Sequence, residues 1–385
     1  MINYDDPTIQ LDDQLDKMAE SLQLDDTRRE RMETAYKAVH QFVMDDPIFF
    51  KGLVSEAYAQ GSVRIGTTNK PYTGSEFDLD TVIQLRCISA QYSPSYILNQ
   101  LERRLSEPGS RYRDKLDPKS RCIRIRYEND FHMDVLAACQ ESESCKNTIL
   151  VANKDSGTID KSNPRGHADW FIDQANKVIE SLLEKADQRM AASLEKLPAD
   201  NFRRKKPLQR SVQLLKRYRD IFFADDDSYA TSSVILTTIA GQYYGGEPSI
   251  YTTMDGIISR IVTDANRFQM VVGGRIKVLN PVNLNEDFTS KWETEPKYYY
   301  EFLRFARHLK EEWQKFKLQQ GVVTESRILK DLFGNDTYNA GSSLRMQEMD
   351  VRRSNGQLRQ DRTTGILTAS VASSTIIKPN TFYGD

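Results

Sequence analysis

The chain has 385 residues, enough for two lobes around a cleft rather than one compact core. Its 55 acidic and 53 basic residues leave a formal charge of −2, so there is no overall field to hold a polyanion, and DNA or RNA binding would need a local basic patch. With 28% charged and 39% hydrophobic residues, no apolar stretch of bilayer length and no signal-peptide hydrophobic segment, the sequence reads as cytosolic, without a membrane partner.

The N-terminal 26 residues are polar and acidic and read as an arm that orders on contact or as a loose lead-in. Thr27-Arg28-Arg29-Glu30 has the pattern of a capping box, and Met32, Tyr36, Val39 and Val43 follow at helical spacing to about Met44, where Asp45-Asp46-Pro47 stops the helix. Gln60-Gly61-Ser62 opens a different segment. After the turn-rich loop NKPYTGSE, Phe77 to Ile83 alternates with period two, as a half-buried strand does. A helix is expected over Pro94–Leu105. Strands are expected over Cys122–Tyr127 and Phe131–Leu136, joined as a hairpin through Glu128-Asn129-Asp130.

Beyond about residue 155 the periodicity becomes helical, over His167–Lys185, after Pro207, over Thr231–Tyr244 and over Lys297–Gln319. From about Gly341 the chain is poor in large aliphatics and reads as a mobile tail. The pattern divides the chain into an arm and long helix (1–50), a core (51–155), a helical lobe (156–335) and a flexible tail (336–385).

Cys87, Cys122, Cys139 and Cys145 form no C-x-x-C pair, and His40, His132, His167 and His308 form no H-E-x-x-H pair. Buried thiols in a reducing compartment are expected, and a dedicated zinc site is not. The carboxylates are more telling. Asp78 and Asp80 are two apart on one strand and share a face, and Asp134 lies on a strand whose neighbours Met133 and Val135 face the other way. Two like charges about 4 Å apart in a partly shielded site repel by roughly 4 kcal/mol, so such a cluster needs a counter-charge or it protonates. Mg²⁺ is the natural partner for oxygen donors, and a pair of ions can serve both the attacking and the leaving oxygen. Alone, Asp-x-Asp is more often a solvated face, and Gly-Ser more often an ordinary turn, although such a turn can present amides and a hydroxyl to phosphate.

The order Gly-Ser, Asp-x-Asp, later strand Asp is the signature of polymerase-β-like nucleotidyltransferases. Gln60-Gly61-Ser62-Val63-Arg64-Ile65-Gly66-Thr67 with Ser75-Glu76-Phe77-Asp78-Leu79-Asp80 resembles the bacterial cGAS/DncV-like nucleotidyltransferases, or CD-NTases. Leu214-Leu215-Lys216 resembles the family's phosphate-contacting lysine segment. Ser232-Ser233-Val234 resembles its phosphate-contacting serine, with Ser233 favoured, and Asn280-Pro281 with Glu286-Asp287-Phe288 resembles its late N-P…E-N-F segment, Asp287 replacing Asn. The resemblance covers most of residues 27–335.

The resemblance implies an α+β fold with a nucleotidyltransferase lobe and a C-terminal helical lobe, the active site lying between them. It implies Mg²⁺, as two ions with Mn²⁺ as an alternative, held by Asp78, Asp80 and Asp134. Gly61, Ser62, Lys216, Ser232 and Ser233 are expected on the triphosphate. The implied product is a cyclic di- or trinucleotide made from NTPs, ATP among them, for CBASS anti-phage defence. A separate effector would bind the product. Taken alone, Lys216 is more often a solvated helix lysine and Ser233 more often an N-cap. Asn380 to Asp385 resembles family C-termini that an E1/E2-like partner joins to targets, here near Gly384, although the extra Asp385 departs from that pattern and an unattached end is the alternative. The zinc insertion and basic platform of the animal DNA sensor are missing, so no DNA requirement is indicated. Linear oligonucleotide synthesis, RNA tailing and a non-catalytic sensor or scaffold are the rival readings. Tyr229, Tyr243 and Tyr244 are weak candidates for base stacking, with core packing the commoner role.

Overall fold

The computed structural model describes residues 8–377 apart from 73–75, 89–90, 128–130, 143–146, 155–156, 179–199, 270–273, 319–320, 363–366 and 369–373. The chain opens with helices α1 (Thr8–Ser21) and α2 (Asp26–Met44), then strand β1 (Val54–Ala59) and the short helix α3 (Gly61–Arg64). Strand β2 (Phe77–Ile88), helix α4 (Pro94–Ser106) and strands β3 (Leu116–Pro118), β4 (Ile123–Tyr127), β5 (Phe131–Gln140), β6 (Ile149–Asn153) and β7 (Thr158–Ser162) follow. Helices α5 (Pro164–Ala175), α6 (Pro207–Phe222), α7 (Ser233–Tyr243) and α8 (Ile250–Gln269) lead to the hairpin β8 (Leu279–Asn280) and β9 (Asn283–Asp287). The chain continues through α9 (Lys291–Thr294), α10 (Lys297–Lys317), α11 (Val322–Phe333) and α12 (Asn335–Ser354), and then the short strands β10 (Arg359–Asp361), β11 (Leu367–Thr368) and β12 (Ser374–Ile376).

Seven described strands form one mixed sheet in the order β1-β2-β5-β4-β3, with β6 pairing β5 and β7. Alternation along β2 explains why it sits at the centre. Phe77, Leu79, Ile83 and Leu85 bury on one face against Tyr36, Val39 and Val43 of α2 and Leu98 and Leu101 of α4. Asp78, Asp80 and Val82 take the other face. The second core joins α1, α5, α6, α7, α8, α10 and α11 through Phe171, Leu214, Ile239, Ile257, Phe305, Trp313 and Leu332.

The N-terminal segment is not a loose arm. Leu11, Leu15 and Met18 recur at helical spacing and are buried in the helical core. The acids of α1 are specific partners: Asp12 accepts from the Tyr251 amide (2.8 Å), Asp16 pairs with Arg210, and Asp13 with Arg345 (2.7 Å). Nor is the segment after residue 335 wholly a tail. Helix α12 packs along α1 so closely that an added Cβ at Gly341 would meet Met18 at 2.8 Å. Its few large aliphatics reflect this close, small-residue contact. Residues 378–385, with Gly384, lie outside the described residues.

Smaller expectations shift as well. Helix α2 is capped by Asp25, whose carboxylate accepts from the Arg28 amide (2.9 Å), so it begins before Thr27. The helix expected over His167–Lys185 starts earlier at Pro164, and within the described residues it ends at Ala175; residues 179–185 lie outside them. The boundary at 155 falls inside the β6–β7 hairpin, so the sheet extends to Ser162. The hairpin turn 128–130 lies outside the described residues, but β4 and β5 pair antiparallel as expected.

Candidate active site

Strands β2 and β5 run parallel, and their register places Asp80 opposite Asp134 and Asp78 opposite His132. On the other side of β5, Arg124 of β4 is opposite Asp134. Its guanidinium grips both oxygens of Asp134 (Nε–Oδ1 2.8 Å, Nη2–Oδ2 2.9 Å) and also donates to Asp78 Oδ1 at 3.4 Å. Paired bonds of this kind are geometrically selective and strong. Burial, followed by the negative charges of Asp78 and Asp134, pushes the Asp80 carboxyl up to about 7. Burial also raises Asp78, with Arg124 opposing it.

The Gly-Ser turn closes over this face. Gly61 has φ +59°, a left-handed conformation that suits glycine, and an added Cβ would collide with Asp80 Oδ2. The Gln60 amide donates to the Asp80 carbonyl (2.8 Å), so the turn is pinned to the strand that carries the carboxylates. Thr67 donates its amide to the Ser62 carbonyl (2.9 Å), and Thr68 Oγ1 donates to Ser62 Oγ (3.3 Å).

Gly61, Ser62, Asp78 and Asp80 line a cleft of about 870 Å³, which Lys216, Arg219, Ser232 and Ser233 line as well. Lys216 donates its ammonium to Thr67 O (3.1 Å) and Thr67 Oγ1 (3.2 Å), and burial, then Arg219, brings its pKa down to about 7. Ser232 occupies the N-cap of α7 without making a side-chain cap bond, and Ser233 Oγ accepts from Arg219 Nη1 at 2.6 Å. Asp134 does not line the cleft directly. It reaches the site through its pairing with Asp80 and its bonds to Arg124.

The three carboxylates are a hard, oxygen-only donor set that fits a divalent cation of the Mg²⁺ type. In this conformation Arg124 supplies the counter-charge, and among the described residues no three acidic, histidine or cysteine side chains converge closely enough to enclose an ion. Each Asp134 oxygen keeps a second lone pair beside its bond to Arg124, so a cation there would share the carboxylate with the guanidinium.

Sequence reasoning missed Arg124 and Arg219. Arg124 was legible in principle, because a hairpin centred on residue 129 pairs it with Asp134. Arg219 lies three residues after Lys216 and so shares its helix face. The weighed tyrosines do not line the cleft: Tyr229 packs against Tyr298 and Lys297, Tyr243 donates to Asp264, and Tyr244 donates to the Glu247 carbonyl. The aromatic rings at the cleft are Tyr72, Phe77, His167 and Phe223. The Asn280-Pro281 segment acts as a clasp. Asn280 is buried and donates to Glu286 (2.7 Å), which also accepts from Ser162 of the sheet (2.9 Å), while Phe288 meets His167 edge-on.

The fold and cleft define a two-lobed nucleotidyltransferase of the polymerase-β type. Residues 9–176 match the model of the second messenger oligonucleotide or dinucleotide synthetase (SMODS) domain. The chain is 41% identical over 377 residues to a c-di-GMP synthase of Roseivirga ehrenbergii, with 98% of each chain covered. It is 26% identical over 328 residues to the cyclic dinucleotide synthase CdnG of Bradyrhizobium diazoefficiens, covering 79% of this chain and 75% of that one. The structure of that CdnG in complex with GTP superposes with a TM-score of 0.67 at 22% identity, covering 88% of this chain and all of the other (100%). The chain belongs to the CD-NTases, nucleotidyltransferases that make cyclic oligonucleotides from nucleoside triphosphates. The family uses divalent metal ions. No described helix is long and apolar enough to cross a membrane.

Proposed function

We propose that this enzyme joins two molecules of GTP into c-di-GMP in the cytoplasm, with Mg²⁺ as its metal, and that the product signals phage infection to a separate effector. The observation that carries the reading is the in-register placement of Asp80 beside Asp134 under the Gly61–Ser62 turn, in a chain 41% identical to a c-di-GMP synthase.

The 3′-hydroxyl oxygen of one nucleotide attacks the α-phosphorus of the other, the hydroxyl proton passes to a carboxylate or to water, and pyrophosphate leaves. A second such step within the linear dinucleotide closes the ring. Asp78, Asp80 and Asp134 would hold the metal, which would supply charge neutralisation at the phosphates and a more acidic attacking hydroxyl. Ser62, with its own amide and that of Gly61, holds the donor phosphates. Lys216 steadies the turn through Thr67 and adds positive charge, and Ser232 and Ser233 face the triphosphate from α7. The domain assignment that goes with this reading is a catalytic lobe around the sheet, a nucleotide-holding helical lobe, and a C-terminal tail open to an E1/E2-like partner near Gly384.

The test is incubation with all four NTPs and Mg²⁺, followed by phosphatase and mass spectrometry. A phosphatase-resistant c-di-GMP mass is expected. A ladder of linear products would instead indicate a linear synthetase, and pyrophosphate release unchanged in the Asp78→Ala/Asp80→Ala variant would remove the carboxylates from catalysis.

A further inference from the structure

Strand β4 brings a cation to the carboxylates. Its alternation buries Ile123 and Ile125 on the helix-covered face of the sheet and turns Arg124 and Arg126 toward the face of Asp78, Asp80 and Asp134. The two arginines then part. Arg126 pairs with Asp117 on the outer strand β3, while Arg124 bonds both oxygens of Asp134 (2.8 and 2.9 Å) and reaches Asp78 Oδ1 (3.4 Å). The cations of the helical lobe are engaged elsewhere. Lys216 donates to Thr67, and Arg219 donates to Asp220 and Ser233. Arg124 is thus bonded to the carboxylates themselves.

That placement has two opposite effects on a divalent ion. The paired bonds fix the plane of the Asp134 carboxylate and tie it to Asp78 on the neighbouring strand, so two of the donors are already ordered. The charge works the other way. With all three carboxylates ionised the cluster carries three negative charges, and the guanidinium cancels one of them. A divalent ion that shares Asp134 with Arg124 also meets like charge on the same carboxylate. The Arg124 and Asp134 side chains are only 23% and 16% exposed, so water and salt screen that repulsion less than they would at the surface.

We propose that Arg124 is a positioning residue and a resident counter-ion: it aligns Asp134 and Asp78 and, through its charge, holds down the affinity of the carboxylates for a divalent ion. The inference rests on the functional reading above, because it takes Asp78, Asp80 and Asp134 as the metal ligands.

The test is a titration of the full chain with Mn²⁺ in the absence of nucleotide, read from the electron paramagnetic resonance of free Mn²⁺. It is done at pH 8, above the value of about 7 to which Asp80 is raised. It compares the wild type with Arg124→Gln and Arg124→Met, which both remove the charge, with Arg124→Lys, which keeps it, and with Asp78→Ala/Asp80→Ala. The neutral variants should bind Mn²⁺ about tenfold more tightly than the wild type, and Arg124→Lys should stay within about twofold of it. Melting curves give a second reading: the rise in Tm from chelator to Mn²⁺ should be larger in the neutral variants than in the wild type. If Arg124 only braced the strands, the neutral variants would bind Mn²⁺ as weakly as the wild type or more weakly, and that result overturns the proposal. So does Arg124→Lys binding as tightly as the neutral variants, because the charge would then not be the cause. Mn²⁺ binding unchanged in Asp78→Ala/Asp80→Ala would instead overturn the carboxylates as metal ligands, a failure of the functional reading.

Discussion

Asp80 and Asp134 are far apart in sequence yet lie side by side on the parallel pair β2–β5, with Arg124 holding Asp134 from the far side. One loaded carboxylate is thus buried among like charges, and the other is already neutralised. If these carboxylates hold the metal as proposed, substituting Asp78, Asp80 or Asp134 by Asn should lower pyrophosphate release by at least about a thousandfold, because loss of a ligand would remove several kcal/mol of transition-state stabilisation.

The same burial predicts a gain in stability. The Asp80 carboxyl is held at about 7, above its ordinary 3.8, so its favourable contribution is complete below pH 3.8 and is lost as pH rises through 7. Asp80→Asn should therefore melt higher than wild type at pH 8 in a chelator, by about 1–3 kcal/mol, and the difference should shrink toward pH 5. Thermal melts at the two pH values check this, and a variant less stable at pH 8 would contradict it.

Gly61→Ala addresses the turn. The new methyl meets Asp80 Oδ2 and the backbone is left-handed, so the turn must move away from the strand. Turnover should fall by about a hundredfold or more, with a stability loss of about 1–2 kcal/mol. Circular dichroism and steady-state kinetics separate the two effects.

Lys216 should mark the alkaline side of the pH profile. Its ammonium is held at about 7, so the free enzyme loses this cation as pH rises above neutrality. The kcat/KM for NTP should decline above about pH 7. Lys216→Arg, which stays protonated, should flatten that decline, and persistence of the same limb in the variant would assign it to another group.

His40 governs acid stability. It is fully buried under β2, its Nε2 hydrogen-bonds Thr81 Oγ1 (2.6 Å), and Thr81 in turn donates to the Tyr58 carbonyl, so the ring is held neutral with Nε2 as the donor. Burial lowers its pKa from 6.5 to about 3. The unfolded chain takes up a proton that the folded one refuses, so stability falls as pH drops from 6.5 toward 3. Between pH 6.5 and 5 the loss from this residue is about 2 kcal/mol. His40→Gln should lose less over that interval in urea titrations, whatever its stability at pH 7.

The carboxylate site was legible because strand alternation is a short-range rule: Asp78 and Asp80 share a face whatever else the chain does. Its neighbours were less so. Ser233 and Lys216 were expected at the cleft through motif order, and they line it, but their present bonds to Arg219 and Thr67 depend on how α6 meets the loop. Helix α1 was misread because its acids dominated a net-polarity judgement. Leu11, Leu15 and Met18 are scattered among acidic and polar residues, and the groove between α6, α8 and α12 gives them somewhere to go. Helix α12 escaped for the related reason that its contact is made by small side chains such as Gly341.

Gln209, Gln213, Lys216 and Arg217 of α6 donate to the carbonyls of Ile65, Thr68, Thr67 and Lys70, and this hold on the Gly66–Tyr72 loop has a mechanical consequence. By position in the chain, that loop belongs to the sheet lobe, between α3 and β2. By attachment, it is cargo of the helical lobe. If the two lobes rock when nucleotide enters or product leaves, the loop should travel with α6. The carboxylates would stay with the sheet while the wall formed by Thr68 to Tyr72 swings over them, so one rigid movement would open and close the cleft.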